Sequence, residues 1–138
     1  MAEYIATHTP NLKGLDAFTR GYLTAVEFTE AVKIERAAGF SNAFLHDAIN
    51  ECAAFQSDYA TALELYERAT GRDMESAGQD FWLSRNRNGA GFWSREIVKD
   101  YPEKAAVQSV LDALTTVSHG YGVVEVYVDS GTNKIYGG

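Results

Sequence analysis

The feature that most constrains this chain is an apolar stripe running through Phe44, Leu45, Ala48, Ile49, Cys52, Phe55, Tyr59, Leu63 and Tyr66. Steps of three and four residues place these side chains on one side of an α-helix. Asp47, Glu51, Asp58, Glu64 and Glu67 fall on the other side. Ser41 is suited to cap the start of this helix, and Thr70-Gly71 to end it. The pattern predicts one amphipathic helix of roughly 28 residues. Such a helix gains most of its stability from whatever covers its apolar side, so the rest of the chain has to supply that cover.

The remaining segments read as follows. Residues 1–12 look irregular, broken at Thr9-Pro10-Asn11. Leu15, Phe18, Tyr22, Leu23 and Val26 predict a helix over 14–32, with a stop at Gly39. Asp73 can cap a third helix that carries Met74, Ala77, Phe81 and Trp82 on one face and runs to about Arg85. Asn88-Gly89 supports a rival, a hairpin with strands over 81–86 and 91–96. The apolar residues there come in adjacent pairs and do not alternate, which favours a helix followed by a Gly-rich loop. Asp100-Tyr101-Pro102 opens a fourth helix with proline in its first turn. Ala106, Val107, Val110, Leu111, Leu114 and Val117 form its buried face, and Gly120 and Gly122 stop it. Val123–Val128 is rich in β-branched residues and of strand length. Asp129–Asn133 is turn chemistry, and Lys134–Tyr136 returns as a second strand. A lone hairpin is marginal in water, so this one must pack on the helices or find a third strand. The expected architecture is α+β: four helices with a short C-terminal antiparallel β-hairpin packed on them, in a single domain spanning 1–138, with the Gly-rich loop near the hairpin.

Composition limits the function classes. Apolar residues make up 46% of the 138, enough for a real core. No apolar run approaches the roughly 18–20 residues that span a bilayer, and the N-terminus has no signal-peptide pattern, so the expectation is a soluble cytoplasmic protein without a membrane partner. Cys52 is the only cysteine, which excludes an internal disulfide and argues against a cysteine zinc site. Twelve basic and nineteen acidic side chains give a net charge of −7, which disfavours direct nucleic-acid binding. The charge is uneven: residues 1–75 hold 12 acidic and 6 basic residues, whereas Arg85, Arg87, Arg95 and Lys99 outnumber Asp80 and Glu96 over 79–99.

No arrangement in the sequence carries recognisable catalysis, and no cofactor is implied. His8, His46 and His119 are scattered. The acidic pairs Asp47/Glu51 and Glu64/Glu67 lack the paired histidines of a di-iron bundle, so no metal site is expected. Cys52 lies inside the apolar stripe, as an inert buried thiol would. His119, at the end of the fourth helix, reads as a surface or capping residue. Gly89-Ala90-Gly91 lacks the Lys-Ser/Thr of a phosphate-binding Walker loop. The basic island remains. Arg85, Arg87 and Arg95 can grip anions, Asn86 and Asn88 can donate and accept, and Trp82 and Trp93 offer stacking faces. With Asp80, Gly89 and Gly91 these form the candidate binding set. The same residues equally suit a structural role, with Phe81, Trp82 and Phe92 in the core and the arginines paired to carboxylates. A functional role requires basic side chains that cluster in space and are not consumed internally.

The run Ala77-Gly-Gln-Asp-Phe-Trp-Leu-Ser-Arg-Asn-Arg-Asn-Gly-Ala-Gly-Phe-Trp93 resembles a motif of the type AGHDFWLTRNGHGAGFWDR, found in a family of small bacteriophage-encoded proteins of unassigned function. Val126-Tyr-Val128 and Ile135-Tyr-Gly137 resemble that family's closing strands. The resemblance covers about a third of the chain. Gln79 and Asn88 stand where the family has histidines, and Ser94 where it has an acid. Gln and Asn do not exchange protons near neutral pH, so acid–base chemistry resting on those histidines would be absent here. The resemblance implies a phage setting more than an activity, and together with the acidic long helix it leads to the expectation of a non-enzymatic phage accessory protein in the host cytoplasm, with a host protein as its partner, such as a defence or nucleic-acid-processing protein. The acidic helix would speed encounters with a basic partner. The alternative is a small-ligand or nucleotide-binding protein or enzyme with its site at loop 85–91. A homo-oligomer stays open.

Overall fold

The computed structural model describes residues 14–138, so the irregular reading of residues 1–12 lies outside it. The described chain is mainly helical and ends in a small antiparallel sheet. The helices are α1 (Ala17–Thr29), α2 (Ala31–Ile34), α3 (Asn42–Asp58), α4 (Ala60–Thr70), α5 (Met74–Arg85) and α6 (Lys104–His119), and the strands are β1 (Val126–Val128) and β2 (Ile135–Gly137). A single 3-10 turn, Phe92–Ser94, lies between α5 and α6.

Six helices replace the expected four because two long predicted helices are each broken once. Glu30 interrupts the first, leaving α2 as one turn. Tyr59, at φ −123° and ψ 28°, interrupts the second. The Tyr59 N–H still bonds Phe55 and its carbonyl still receives Leu63, so the chain bends without losing its ladder. The bend has a packing consequence: α3 lies against α1, whereas α4 lies against α6. The caps at Ser41 and Asp73 form as the sequence implies, with Phe44 N–H donating to Ser41 Oγ at 3.0 Å and Ser76 N–H to Asp73 Oδ1 at 2.9 Å. Gly71, at φ 73°, closes α4. Helix α6 starts two residues later than proline placement suggests, after Glu103 at φ 56°, and Ala106 is exposed.

The two strands pair with Tyr127 opposite Tyr136, and those rings stack at 5.8 Å. β1 is half the length expected over 123–128, whereas β2 keeps three residues and is shifted by one from the expected 134–136. The outer side of β2 is covered by backbone before α3: Ile135 N–H donates to Gly39 O, and Ser41 N–H to Ile135 O, both at 2.9 Å. This short parallel bridge at Phe40 gives the hairpin the third neighbour it needs.

The core is aromatic. Phe18, Tyr22, Phe55, Phe81 and Phe92 are buried from four different segments, and Phe55 stacks on Phe81 at 4.2 Å and on Phe92 at 5.9 Å. Helices α1 and α5 meet with no side chain between them at two points. A Cβ on Gly21 would lie 1.8 Å from the Glu75 carbonyl oxygen, and one on Gly78 would lie 1.8 Å from the Phe18 carbonyl oxygen. That close crossing sets the position of the end of α5, and so of the Arg/Asn/Gly loop that follows it.

Candidate functional site

Helix α5 runs to Arg85, so the helix-plus-loop arrangement holds over the motif and the hairpin alternative does not form. The motif divides into inward and outward residues. Asp80, Trp82, Arg85 and Gly91 are buried, Asn86 and Arg95 are partly buried, and Arg87, Asn88, Gly89 and Trp93 are exposed.

Asp80 is fully buried near the middle of α5 and is matched by two guanidinium groups. Arg95 donates to it through Nε at 2.9 Å and through Nη2 at 2.5 Å, in the two-pronged geometry available to arginine. The Tyr66 hydroxyl donates to Asp80 at 2.6 Å, and Arg72 donates to the Tyr66 oxygen at 2.9 Å. Burial and the neighbouring Asp80 charge push the Tyr66 hydroxyl well above the ordinary tyrosine range, so it stays protonated and keeps donating. This cluster ties α4, α5 and the segment after the 3-10 turn to one carboxylate.

Arg85 is 3% exposed and makes a second, separate cluster. Its Nε donates to Gly122 O at 2.9 Å, Nη2 to Tyr121 O at 2.7 Å, and Nη1 to both the Tyr22 hydroxyl at 3.1 Å and Glu51 at 2.7 Å. The guanidinium also lies over the Phe81 and Tyr121 rings, 5.7 Å from each centroid. Burial opposes the Arg85 charge, but Tyr22 and Glu51 outweigh it and hold the group above its ordinary range. Glu51 therefore is not simply part of a solvated acidic face, as its helical position suggests. It closes the ion pair that joins α3 to the end of α5.

The remaining buried motif residues set the loop's shape. Trp82 Nε1 donates to Thr29 Oγ1 at 2.8 Å. Asn86 spans two segments, donating to Trp82 O at 3.0 Å and accepting from Val124 N–H at 2.8 Å, which links the loop to the chain entering β1. Gly91 has φ 153°, and a Cβ there would meet Ser84 Oγ at 2.2 Å, so this position excludes side chains. Ser84 Oγ accepts from Phe92 N–H at 3.3 Å and helps seat the turn on α5.

Three side chains are left to face solvent. Arg87 adopts φ 55°, a left-handed conformation uncommon for a non-glycine residue. Asn88 follows it at the tip. Trp93 is 47% exposed, although its backbone is fixed to α6: its N–H donates to Thr115 Oγ1 and its carbonyl accepts from Gln108, each at 3.0 Å. Arg87, Gly89, Trp93, Thr115 and His119 line a groove of about 370 Å³ between the loop and the end of α6. His119 joins this groove from the far end of the sequence. The signal that it would was only its place at a helix terminus.

Cys52 is fully buried, and burial raises its thiol far above the ordinary range, so it carries no thiolate near neutral pH. Among the described residues there is no group of three or more His, Cys, Asp or Glu side chains placed to hold a metal ion, and no helix long and apolar enough to cross a membrane. Comparison of the chain with protein-family models, with curated proteins and with solved structures found no match.

Proposed function

We propose that this is a non-enzymatic binding protein that docks a macromolecular partner through the surface formed by Arg87, Asn88 and Trp93. One observation carries the reading: buried Arg85 and Asp80 and partly buried Arg95 and Asn86 are bonded within the protein, and the loop they shape presents an arginine, an asparagine and a half-exposed tryptophan. Arginine and tryptophan are the residue types most often found as energetic anchors of protein interfaces. A loop fixed in advance loses little further entropy when it binds. The strained φ of Arg87 fits a functional tip, since such conformations persist where the surroundings enforce them. The motif resemblance supplies the setting, a phage accessory protein acting on a host protein in the host cytoplasm, and the acidic remainder of the surface suits a partner with basic regions.

The test compares the wild type with an Arg87→Glu/Trp93→Ala double variant in capture from bacterial lysate, followed by direct titration of the captured protein. Both side chains are exposed, so the variant should melt within about 2–3 °C of the wild type. Its affinity for the partner should fall by at least about 30-fold, the loss expected for one anchor residue. Equal affinity of the two proteins would refute the assignment of this surface.

The groove beside Trp93 favours a second reading, a small anionic ligand held by Arg87 and stacked on the indole. In that case nucleotides or simple phosphates change Trp93 fluorescence in a saturable way, and Arg87→Ala abolishes the change. A flat response across the panel removes this reading and leaves the first.

A further inference from the structure

A second cavity, of about 180 Å³, opens on the other side of Arg85. Its deep end holds Tyr22 and Arg85, each nearly inaccessible, and its walls include Phe44, Ala48 and Val124. Its mouth carries Asp47 and Glu51, one turn apart on α3, with the Asp47 side chain 75% exposed and that of Glu51 35% exposed. Among the side chains of the lining, two carboxylates stand against one guanidinium; Glu51 is paired with Arg85, so Asp47 supplies a surplus negative charge, which selects a cation. Phe44 and the aliphatic walls favour an organic cation over a hydrated metal ion.

The deep end adds a second requirement. The Tyr22 hydroxyl is buried and accepts a hydrogen bond from Arg85 Nη1 at 3.1 Å. Among the described residues, no acceptor takes its own proton. Burial, which disfavours the phenolate, keeps that proton in place. A buried donor of this kind is satisfied by an oxygen acceptor inside the cavity. The Tyr22 oxygen and Glu51 Oε1 both contact the same Arg85 nitrogen, at 3.1 and 2.7 Å, so the acidic and the donating sides of the cavity lie within reach of one small group. A free amino acid fits less well, because its carboxylate cancels the positive charge that the surplus carboxylate of the lining selects.

We propose that this cavity binds an α-ammonium group together with the carbonyl that follows it, with the ammonium between Asp47 and Glu51 and the carbonyl oxygen on the Tyr22 hydroxyl. An amino-acid amide and the N-terminus of a polypeptide share this chemistry. The inference is independent of the Arg87–Trp93 surface, because Trp93 and Arg87 do not line this cavity.

The test is an NMR titration of the full chain with L-alaninamide, with a short alanine-rich peptide, and with the same peptide N-acetylated. Saturable shifts of the Ala48 and Gly137 amides are expected with L-alaninamide and with the free peptide. N-acetylation and the Asp47→Asn substitution should each weaken binding by at least about threefold, the scale of one partly exposed ion pair. Asp47 is exposed enough for that variant to fold. Peptide binding tighter than L-alaninamide identifies a polypeptide terminus as the occupant, and equal binding identifies a free small molecule. Absence of saturable shifts with both unacetylated probes, or equal binding of the acetylated peptide, overturns the proposal. So does an Asp47→Asn protein that binds as tightly as the wild type.

Discussion

Arg85→Ala lowers the melting temperature by roughly 10–20 °C, on the order of 3–5 kcal/mol, the cost of breaking a buried ion pair from one side. The size follows from what the substitution leaves behind. The buried Tyr22 hydroxyl loses its donor, the Tyr121 and Gly122 carbonyls lose theirs, and Glu51 keeps its charge with no partner. Two aromatic faces that held the guanidinium are left against a void. Arg85→Lys should recover little of the loss. A lysine ammonium has three donors on one atom and cannot reach four acceptors arranged around a planar fork. Thermal denaturation of the three proteins checks this. If Arg85→Ala melted within a few degrees of the wild type, the cluster would not be structural, and Arg85 would return as a candidate ligand-binding residue.

The second large effect is expected at Gly78. Alanine normally stabilises a helix interior by about 1 kcal/mol relative to glycine. Here a Cβ would stand 1.8 Å from the Phe18 carbonyl oxygen, which belongs to helix backbone and cannot rotate away. The helices must separate, and the aromatic contacts between Phe18, Tyr22, Phe81 and Trp82 across the same crossing loosen with them. Overpacking of this kind costs about 1–3 kcal/mol or more, so Gly78→Ala should be destabilising by at least about 2 kcal/mol in denaturant unfolding. Gly21→Ala should behave alike, because its Cβ would meet the Glu75 carbonyl at the same distance. Gly14→Ala is the control: among the described residues, no atom beyond its chain neighbours lies within 4 Å of its Cβ, and stability should hardly change. If Gly78→Ala matched the control, the close crossing would be refuted.

The two substitutions also separate what local sequence shows from what it does not. Nothing in the neighbourhood of Gly21 or Gly78 distinguishes them from glycines that merely weaken a helix. Their role exists only because each faces a carbonyl on another helix. Arg85 is similar. Its type allows a ligand-binding role or an ion pair, and the choice depends on Glu51, 34 positions away, and on two carbonyls after α6. By contrast, the caps at Ser41 and Asp73 and the stop at Gly71 were legible, because capping is settled within a few residues.

What the sequence by itself determined is the order of elements: helices with a buried stripe, a helix through Trp82 to Arg85, a glycine loop, and a closing hairpin. These follow from periodicity and turn chemistry, which are local interactions. The tertiary structure decided where helices break, as at Tyr59, and which of three arginines stay free. Arg85 meets Glu51 from α3, and Arg95 folds back onto Asp80 of α5, whereas Arg87 has no such partner among the described residues and faces solvent. A charged side chain in the interior requires a matching charge to offset its lost hydration, and only the fold determines which segments bring that charge within reach.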